Sequence, residues 1–445
     1  MGLSEGAASR ASGRQDRGAR RARSRRRSIG ALLVAAVLGL LLLDQLGVRR
    51  LSGEDFPPKE ALAQDLRRHV EALASPSWGG RRPGTPGNAE AARYIAGELE
   101  KAGVSSLPSL GGYLAPLGVP GEDLGSNVIG ILLANEGPEG AAEAIAKGGA
   151  IVVGAHFDHI GAVGDAVLLG ADDNASGVAV LLGAIAPLRA ERLKRPILFV
   201  FFNTEEPPHF LSKAMGSRRF IASLPAEMRG PASIHLAVIL DLIGGVVWKW
   251  TADTIFACGA EAVGGLGPVV DRTREDGLSV RRLGLHMVEN LPGRSPQPFS
   301  DYEAFRSARA PFLFLSSGRT PRYHAPSDLP ATLHYDRMAR TSRWIARFIA
   351  EVDTLEGPLP FDPTQDDLAA DRDTMRWAIE EAALPWNSVP GTGPLTAARL
   401  LGDRAALRAM SAPDHAFTPA DRLALERASF RLQCLLYAYP ACFTF

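Results

Sequence analysis

The spacing of apolar residues changes along the chain and predicts two kinds of element. Residues 60–74 and 88–103 place apolar side chains every three or four positions, which is typical of amphipathic helices. Five later runs are short and wholly apolar, which indicates strands covered on both faces: residues 127–134, 150–155, 197–202, 236–240 and 311–315. Helical segments are predicted around these runs at about 175–190, 213–223, 258–273, 301–308 and 335–353. The alternation predicts an α/β fold, with a mainly parallel mixed sheet covered by helices on both faces, over residues 59–355.

The region after residue 355 has a different pattern. Residues 356–445 are rich in proline at first and then helical in pattern, so they predict a small helical C-terminal appendage. Cys434 and Cys442 are close enough to pair in an oxidising compartment, or they and Cys258 are all free and buried. Because the chain contains no CxxC pair, a zinc site built from thiolates is not expected.

The N-terminal region joins a basic segment to a long apolar run. Residues 1–28 hold nine arginines and only two acidic residues. Residues 29–48 then provide about the 20 residues that span a bilayer, which predicts a basic cytoplasmic tail, a transmembrane signal-anchor and a linker at residues 49–58. Since basic residues stay on the inner side, we expect a single pass through the inner or plasma membrane and a periplasmic or extracellular domain. A cleaved signal peptide is the alternative, and it would export the domain as well.

The overall composition excludes two classes of protein. With 46% hydrophobic and 22% charged residues, the 445-residue chain has the balance of a globular protein rather than a disordered one. The basic block is terminal and lacks aromatic residues, so nucleic-acid binding is not indicated.

Histidines and acidic residues follow the ends of the predicted strands. They are His156, Asp158 and His159, then Asp172 and Asp173, then Glu205 and Glu206, then Asp241, and finally His324. Because the carboxyl ends of parallel strands meet at one edge of a sheet, we expect these side chains to converge there. Histidine and carboxylate ligands without cysteine suit zinc. No glycine-rich phosphate loop and no G-x-S-x-G motif competes with this interpretation.

The motifs resemble a known family when they are taken in order. HFD, GADDNASG, TEE with a later MGS, a strand that ends at Asp241, SDYEAF and YHAPSD together resemble the M28 zinc metallopeptidases, over about residues 80–350. That family includes bacterial aminopeptidases and glutaminyl cyclases. The resemblance implies two zinc ions bridged by Asp173, one completed by His156 and Asp241 and the other by Glu206 and His324.

The resemblance also implies an activity and supporting roles. The activity would be that of an exopeptidase of the aminopeptidase type, which cleaves peptide substrates with a metal-activated water and Glu205 as the general base. Asp158 would hold the imidazole of His156, and Asp301 would support the substrate pocket. His159, Tyr302 and Tyr323 are possible pocket residues; Asp172 is a candidate helix cap, and His209, His235, His286 and His334 are interpreted as structural.

Several departures from the family pattern leave alternatives open. The segment EEPPHFLSKAMGS (205–217) is longer than the usual form, Tyr302 replaces a histidine, His159 replaces a common serine, and residues 283–299 suggest a mobile loop over the site. The long segment favours a glutaminyl-peptide cyclotransferase, whereas GADDNASG and Tyr323 favour hydrolysis. A receptor-like ectodomain without catalysis is a further alternative, although such proteins lose the ligands. Manganese or cobalt could also occupy such a site in vitro, and the sequence does not indicate an oligomeric state.

Overall fold

The computed structural model describes residues 59–118, 122–133, 140–191, 193–290, 295–384 and 394–435. All of them lie in one compact unit, Gly53–Phe445. The predicted basic tail, signal-anchor and linker at residues 1–58 lie outside the described residues. Within the described part of the chain, no helix combines the length and the apolar character needed to cross a membrane.

Ten strands form the sheets of the described residues. They are β1 (Leu114–Pro116), β2 (Ser126–Leu132), β3 (Ala150–His156), β4 (Gly161–Val163), β5 (Ala166–Leu168), β6 (Ile197–Phe202), β7 (Ile234–Leu240), β8 (Thr254–Cys258), β9 (Ser279–Arg282) and β10 (Phe312–Ser316). Eight of them form one sheet in the order β1-β2-β6-β3-β7-β10-β8-β9, while β4 and β5 pair as a separate hairpin. The central strands β6, β3, β7 and β10 are parallel to one another. Their carboxyl ends therefore meet at one edge.

Twelve α-helices accompany the strands in the described residues. They are α1 (Lys59–Leu73), α2 (Pro86–Lys101), α3 (Ala141–Gly148), α4 (Gly177–Ala190), α5 (Gly216–Ala222), α6 (Leu266–Arg272), α7 (His286–Glu289), α8 (Tyr302–Ser307), α9 (Tyr335–Asp353), α10 (Leu368–Ala382), α11 (Pro394–Ala409) and α12 (Pro419–Leu435). The central strands are buried at every position because helices cover both faces of the sheet. The predicted fold class is thus confirmed.

One face of the sheet is covered by α1, α4 and α9, which pack closely. Gly183 of α4 makes this possible, because a Cβ at that position would lie 2.7 Å from Leu66 Cδ2 of α1 and 3.0 Å from Ser342 Oγ of α9. The Ser342 hydroxyl donates a hydrogen bond of 2.9 Å to the Val180 carbonyl and joins the same two helices. This layer supports the loop that precedes α4, and that loop carries Asp173.

The opposite face shares its core with the C-terminal helices. Apolar residues of β6 and β10, such as Phe202 and Phe314, belong to the same buried cluster as Ile379 of α10, Leu407 of α11 and Leu425 of α12. The helices predicted for residues 356–445 are present in the described part of that region, and they share a hydrophobic core with this face of the sheet.

The predicted helix at residues 258–273 is the largest error in the secondary structure. The chain there ends strand β8 at Cys258 and forms a helix only over Leu266–Arg272. Two features explain the difference: β8 pairs antiparallel with β10, and Gly259 and Gly265 adopt positive φ angles of 92° and 81° that break a helix. Cys258 is buried as a free thiol, whereas Cys442 and the Cys434 side chain lie outside the described residues.

Candidate metal centre

The ends of the parallel strands supply most of the predicted site. His156 is the last residue of β3, Glu205 and Glu206 follow β6, and Asp241 follows β7 directly. Asp173 lies in the irregular turn Ala171–Ser176 before α4, and His324 lies in the loop after β10. These side chains are brought together because the four strands run the same way.

The first group of candidate ligands is His156, Asp173 and Asp241, here called the His156 group. His156 Nε2 lies 3.3 Å from Asp173 Oδ1 and 3.5 Å from Asp241 Oδ1. The three ligand atoms lie within 4.8 Å of one another, a spacing that one ion with bonds of about 2 Å can bridge.

The second group is His159, Asp173, Glu206 and His324, here called the His324 group. His324 Nε2 lies 3.1 Å from Asp173 Oδ2 and 3.1 Å from Glu206 Oε2. Asp173 therefore directs Oδ1 to one group and Oδ2 to the other, which is the geometry of a carboxylate that bridges two ions. His159 was expected to be a possible pocket residue that could touch a ligand or the substrate, and its Nδ1 lies 2.8 Å from Glu206 Oε1.

The polar atoms at this point fit a cation better than they fit one another. His156 Nε2, His324 Nε2, Asp173 Oδ2 and Asp241 Oδ1 are buried and have no hydrogen-bond partner among the described residues. Buried polar atoms without partners are costly, and several that face a common point are explained by an ion between them. The nitrogen and oxygen donors without thiolates suit zinc.

Glu205 lies beside the His156 group but belongs to neither group. Its Oε2 is 3.9 Å from His156 Nε2, and the residue is only 6% exposed. Burial holds the pKa of Glu205 well above its usual range; nearby His156 opposes this effect, and Glu206, Asp301 and Asp241 add to it. A carboxylate in this position faces the space next to the candidate ions without being needed to bind them.

Asp158 acts on the main chain after β6 rather than on the ring of His156. Its two carboxylate oxygens accept hydrogen bonds of 3.1 Å from the backbone N–H groups of Glu205 and Glu206. The Nδ1 atom of His156 lies 3.2 Å from the backbone carbonyl of Asp158, but 3.8 Å from its carboxylate. The main chain of Asp158 thus holds the imidazole, and its side chain positions the two glutamates. Burial raises the pKa of Asp158 to about 6.

The other residues expected near the site lie in different surroundings. Asp301 is fully buried, and burial raises its pKa to about 7, with His156 opposing and Asp158 and Asp241 reinforcing the shift. Tyr323 is half-buried and stacks on the His324 ring, with the ring centroids 3.8 Å apart, so it lies directly beside the His324 group. Tyr302, by contrast, lies in the core: it is fully buried, and its hydroxyl donates a hydrogen bond of 2.5 Å to Glu289.

Arg81 is a functional candidate that the sequence reasoning missed. The side chain is fully buried and donates to four backbone carbonyls: Phe157 at 2.7 Å, Leu73 and Leu169 at 2.6 Å each, and Gly170 at 2.8 Å. It therefore ties the segment after β3 to the segment before Asp173. Burial lowers the pKa of Arg81 to about 10, although Asp158 and Asp173 favour its charged form. Its place in a turn-rich loop gave no periodic signal.

Asp172 and Asp328 fix the turn that carries Asp173. Asp328 accepts hydrogen bonds from the backbone N–H groups of Asp172 at 2.8 Å and Asp173 at 3.1 Å. Asp172 accepts from the N–H groups of Gly244 and Gly245 at 2.8 and 2.7 Å, so it joins this turn to the loop after β7. The sequence motif YHAPSD contained Asp328, but nothing in its spacing indicated this contact.

Backbone strain is concentrated around the same residues. Six non-glycine residues of the described chain have positive φ angles, and four of them are site residues or their neighbours: Arg81, Thr204, Leu242 and His324. Such conformations cost energy for residues with a Cβ and accumulate where a site fixes the main chain. The positive φ angles at Thr204 and Leu242 help to position the neighbouring residues Glu205 and Asp241. The positive φ angle at His324 helps to position its own imidazole.

Comparisons with known proteins give a matching family model and similar structures. Residues 138–349 match the model of peptidase family M28, and this match confirms the resemblance inferred from the motifs. A curated relative, the uncharacterized protein YfbL of Escherichia coli (strain K12), is 29% identical over 209 residues, which are 44% of this chain. The chain spans 64% of the length of that relative.

Solved structures show the same fold. The LapA aminopeptidase of Legionella pneumophila aligns with a TM-score of 0.50 and 17% identity, over 66% of this chain and 73% of that one. LapB of the same organism aligns with a TM-score of 0.50 and 19% identity, over 71% of this chain and 81% of that one. At these identities the likeness concerns the fold.

Proposed function

We propose that this protein is a zinc-dependent exopeptidase of the aminopeptidase type. One observation carries the proposal: candidate ligand atoms from three strand ends and two loops converge in two groups that share Asp173. The match to the M28 family model and the similarity in fold to the LapA aminopeptidase support the same assignment.

The residues around the two groups have roles that suit peptide hydrolysis. Zinc, when bound, would activate a water molecule and polarise the peptide carbonyl. Glu205 stands 3.9 Å from His156 Nε2 without being a candidate ligand, so it is placed to take a proton from water and deliver it to the leaving amine. Asp158 keeps Glu205 and its neighbour Glu206 at fixed positions through their backbone N–H groups.

The charge of the site favours a substrate with a free amino terminus. Asp158, Glu205, Glu206, Asp241 and Asp301 are all buried at this edge together with Asp173. A carboxylate that no ion uses can hold an ammonium group, which would restrict cleavage to the end of a chain. The half-buried ring of Tyr323 beside His324 gives the cleft an apolar wall for the first side chain.

Metal analysis combined with two activity assays tests the proposal. Purified protein should contain zinc and hydrolyse aminoacyl reporter substrates, and a peptide with an N-terminal glutamine should not be cyclised. Cyclisation without hydrolysis would instead identify a glutaminyl-peptide cyclotransferase. Protein that binds no metal and lacks both activities would support a receptor-like ectodomain.

We further propose that residues 29–48 anchor the protein in a membrane, with the catalytic domain outside the cytoplasm. The support is the length of the apolar run and the arginines that precede it. In cells that express the full chain, the protein should sediment with membranes, and its domain should be cleaved by protease added from the outer side. Recovery in the soluble fraction without detergent would contradict the anchor.

A further inference from the structure

His159 differs from the other candidate pocket residues because it is part of a ligand group. It is fully buried, and its Nδ1 lies 2.8 Å from Glu206 Oε1 and 3.7 Å from Asp173 Oδ2. Its other ring nitrogen, Nε2, has no hydrogen-bond partner among the described residues. The polar contacts of this ring are therefore directed at the two carboxylates of the His324 group.

The spacing of these atoms suits a fourth ligand. In a tetrahedral zinc site with bonds of about 2.0–2.1 Å, neighbouring ligand atoms lie about 3.3–3.4 Å apart. The separations of 2.8 and 3.7 Å from His159, and of 3.1 Å from His324, fall on both sides of that value. The two imidazoles also meet edge to face, with ring centroids 5.7 Å apart, so their nitrogens approach the shared carboxylates from different directions.

The surrounding chain makes room for this ring. Gly170 has a φ of 57°, and a Cβ there would lie 2.5 Å from His159 Cγ and 2.2 Å from the Asp173 carbonyl oxygen. A glycine at this point lets the turn before Asp173 approach the imidazole. Arg81 holds both sides of this contact, because it binds the carbonyls of Phe157 and Gly170.

We propose that His159 is a fourth protein ligand of the His324 group, so that the two metal positions are unequal. Four protein ligands are typical of closed zinc sites, whereas three ligands with an open position are typical of catalytic ones. The His324 group would then bind its ion first and more tightly. The open coordination position would lie at the His156 group, which is the group beside Glu205. This inference rests on the proposed function as a zinc enzyme and adds an order of binding to it.

A pair of nearly isosteric variants separates a ligand from a hydrogen-bond donor. Asparagine in His159→Asn keeps an N–H near the position of Nδ1, whereas aspartate in His159→Asp offers an oxygen ligand and no such donor. The full-length chain is stripped with a chelator and titrated with zinc against a competing chromogenic chelator. A second titration uses cobalt, whose visible spectrum reports the ligands of each ion added.

The expected results differ for each variant. The unmodified chain should bind its first ion at least about tenfold more tightly than its second. His159→Asn should lower the affinity for the first ion by roughly 10- to 100-fold and change the spectrum of the first cobalt ion bound. His159→Asp should retain most of the affinity of the unmodified chain. Asp241→Asn should lower only the affinity for the second ion. The control is His69→Asn, which removes another buried histidine, one that contacts the Tyr94 hydroxyl at 2.8 Å. This variant should change the affinity for neither ion.

Other outcomes would overturn the inference without touching the proposed function. Normal zinc affinity in His159→Asn, or an equal loss in His159→Asn and His159→Asp, would show that the ring does not bind the ion. The proposed function would be contradicted by a different result: a protein that binds two ions with unequal affinity but hydrolyses no aminoacyl substrate.

Discussion

Two clusters of buried histidine and carboxylate side chains in the described residues compensate their charges in different ways. One is the candidate metal centre; the other joins α7 to the C-terminal helices. In the second cluster, His286 Nδ1 lies 3.0 Å from Glu426 of α12 and its Nε2 lies 2.9 Å from Asp371 of α10. Each ring nitrogen there has its own carboxylate. At the metal centre, the nitrogens and oxygens face a common point and leave several atoms without a partner.

The carboxylates of the two clusters differ in the same way. Glu426 also accepts hydrogen bonds from Asn290 and Arg422, and Asp371 accepts one from the N–H group of Gly284. No group containing His286 has ligand atoms close enough for an ion within the described chain. The residue types alone therefore do not distinguish a metal site from an ion-pair cluster. The distinction lies in whether the polar atoms satisfy one another.

Of the changes predicted for the two clusters, the largest should be the loss of catalytic activity when Glu205 is replaced with glutamine. The variant keeps the size of the side chain but cannot take a proton, so kcat should fall by roughly 10²–10⁴-fold. Zinc content, measured by elemental analysis, should stay the same because Glu205 lies in neither ligand group. Loss of metal together with activity would assign Glu205 to metal binding instead. Glu90→Gln, at an exposed helix position, is the control.

Removing zinc should destabilise the first cluster and leave the second intact. An ion at a free concentration 100 times its Kd stabilises the folded state by about 2.7 kcal/mol, so a chelator should lower Tm by several degrees. The same drop is expected in a His286→Gln variant, because its cluster holds no ion. A calorimetric scan with and without chelator measures both. An unchanged Tm in the unmodified protein would mean that the first cluster is stable without metal.

The second cluster should depend on pH instead of metal. Burial alone would lower the pKa of His286, but Asp371, Glu426 and Asp366 outweigh it and raise the pKa above the usual value. A raised folded pKa means that the stabilisation is fully present below the unfolded pKa of about 6.5 and is lost as the pH rises through the folded pKa.

This linkage gives a quantitative expectation for His286→Gln. The variant should lose about 2 kcal/mol of unfolding free energy at about pH 6, since hydrogen bonds to charged groups are involved. The difference from the unmodified protein should narrow toward about pH 10. Urea denaturation at both pH values measures it. A difference that is the same at both values would show that the ring acts by packing and not by its charge.

The smallest effect is expected at a partly exposed pair in the same region. His415 Nε2 lies 3.3 Å from Asp421, and both side chains are partly accessible. Solvent screens pairs of this kind, so His415→Gln should leave the unfolding free energy nearly unchanged in the same urea denaturation. A loss as large as that of His286→Gln would indicate that burial is not what separates the two histidines.

The strands and their ends could be predicted because buried parallel strands have a strong sequence signal. The run at residues 197–202 coincides with β6, and the runs that end near His156 and Asp241 place those residues at the carboxyl edge. Strand β9 could not be recognised in this way. Its four residues include two arginines and are all only partly buried, so it is a strand because it pairs with β8.

The ligand positions could be listed from the sequence, but their supporting contacts could not. The roles of Arg81, Asp172 and Asp328 depend on backbone groups that are distant in sequence, such as Leu169 for Arg81 and Gly244 for Asp172. His159 was expected near a ligand or the substrate, but its contact with Glu206 could not be specified because it depends on how the turn at Gly170 folds back. Periodicity reports burial, and it does not report which buried groups face each other.

The enclosed guanidinium of Arg81 has a consequence for how the candidate site is assembled. Its four carbonyl partners lie on three separate segments, so this positive charge can hold them in place before any ion binds to the nearby carboxylates. The apoprotein would then be a preformed receptor for its ions, ready to take them up in whichever compartment supplies zinc. Adding zinc back to stripped protein should restore activity at the speed of ion uptake, without a slow refolding phase, and stopped-flow measurements can follow this recovery.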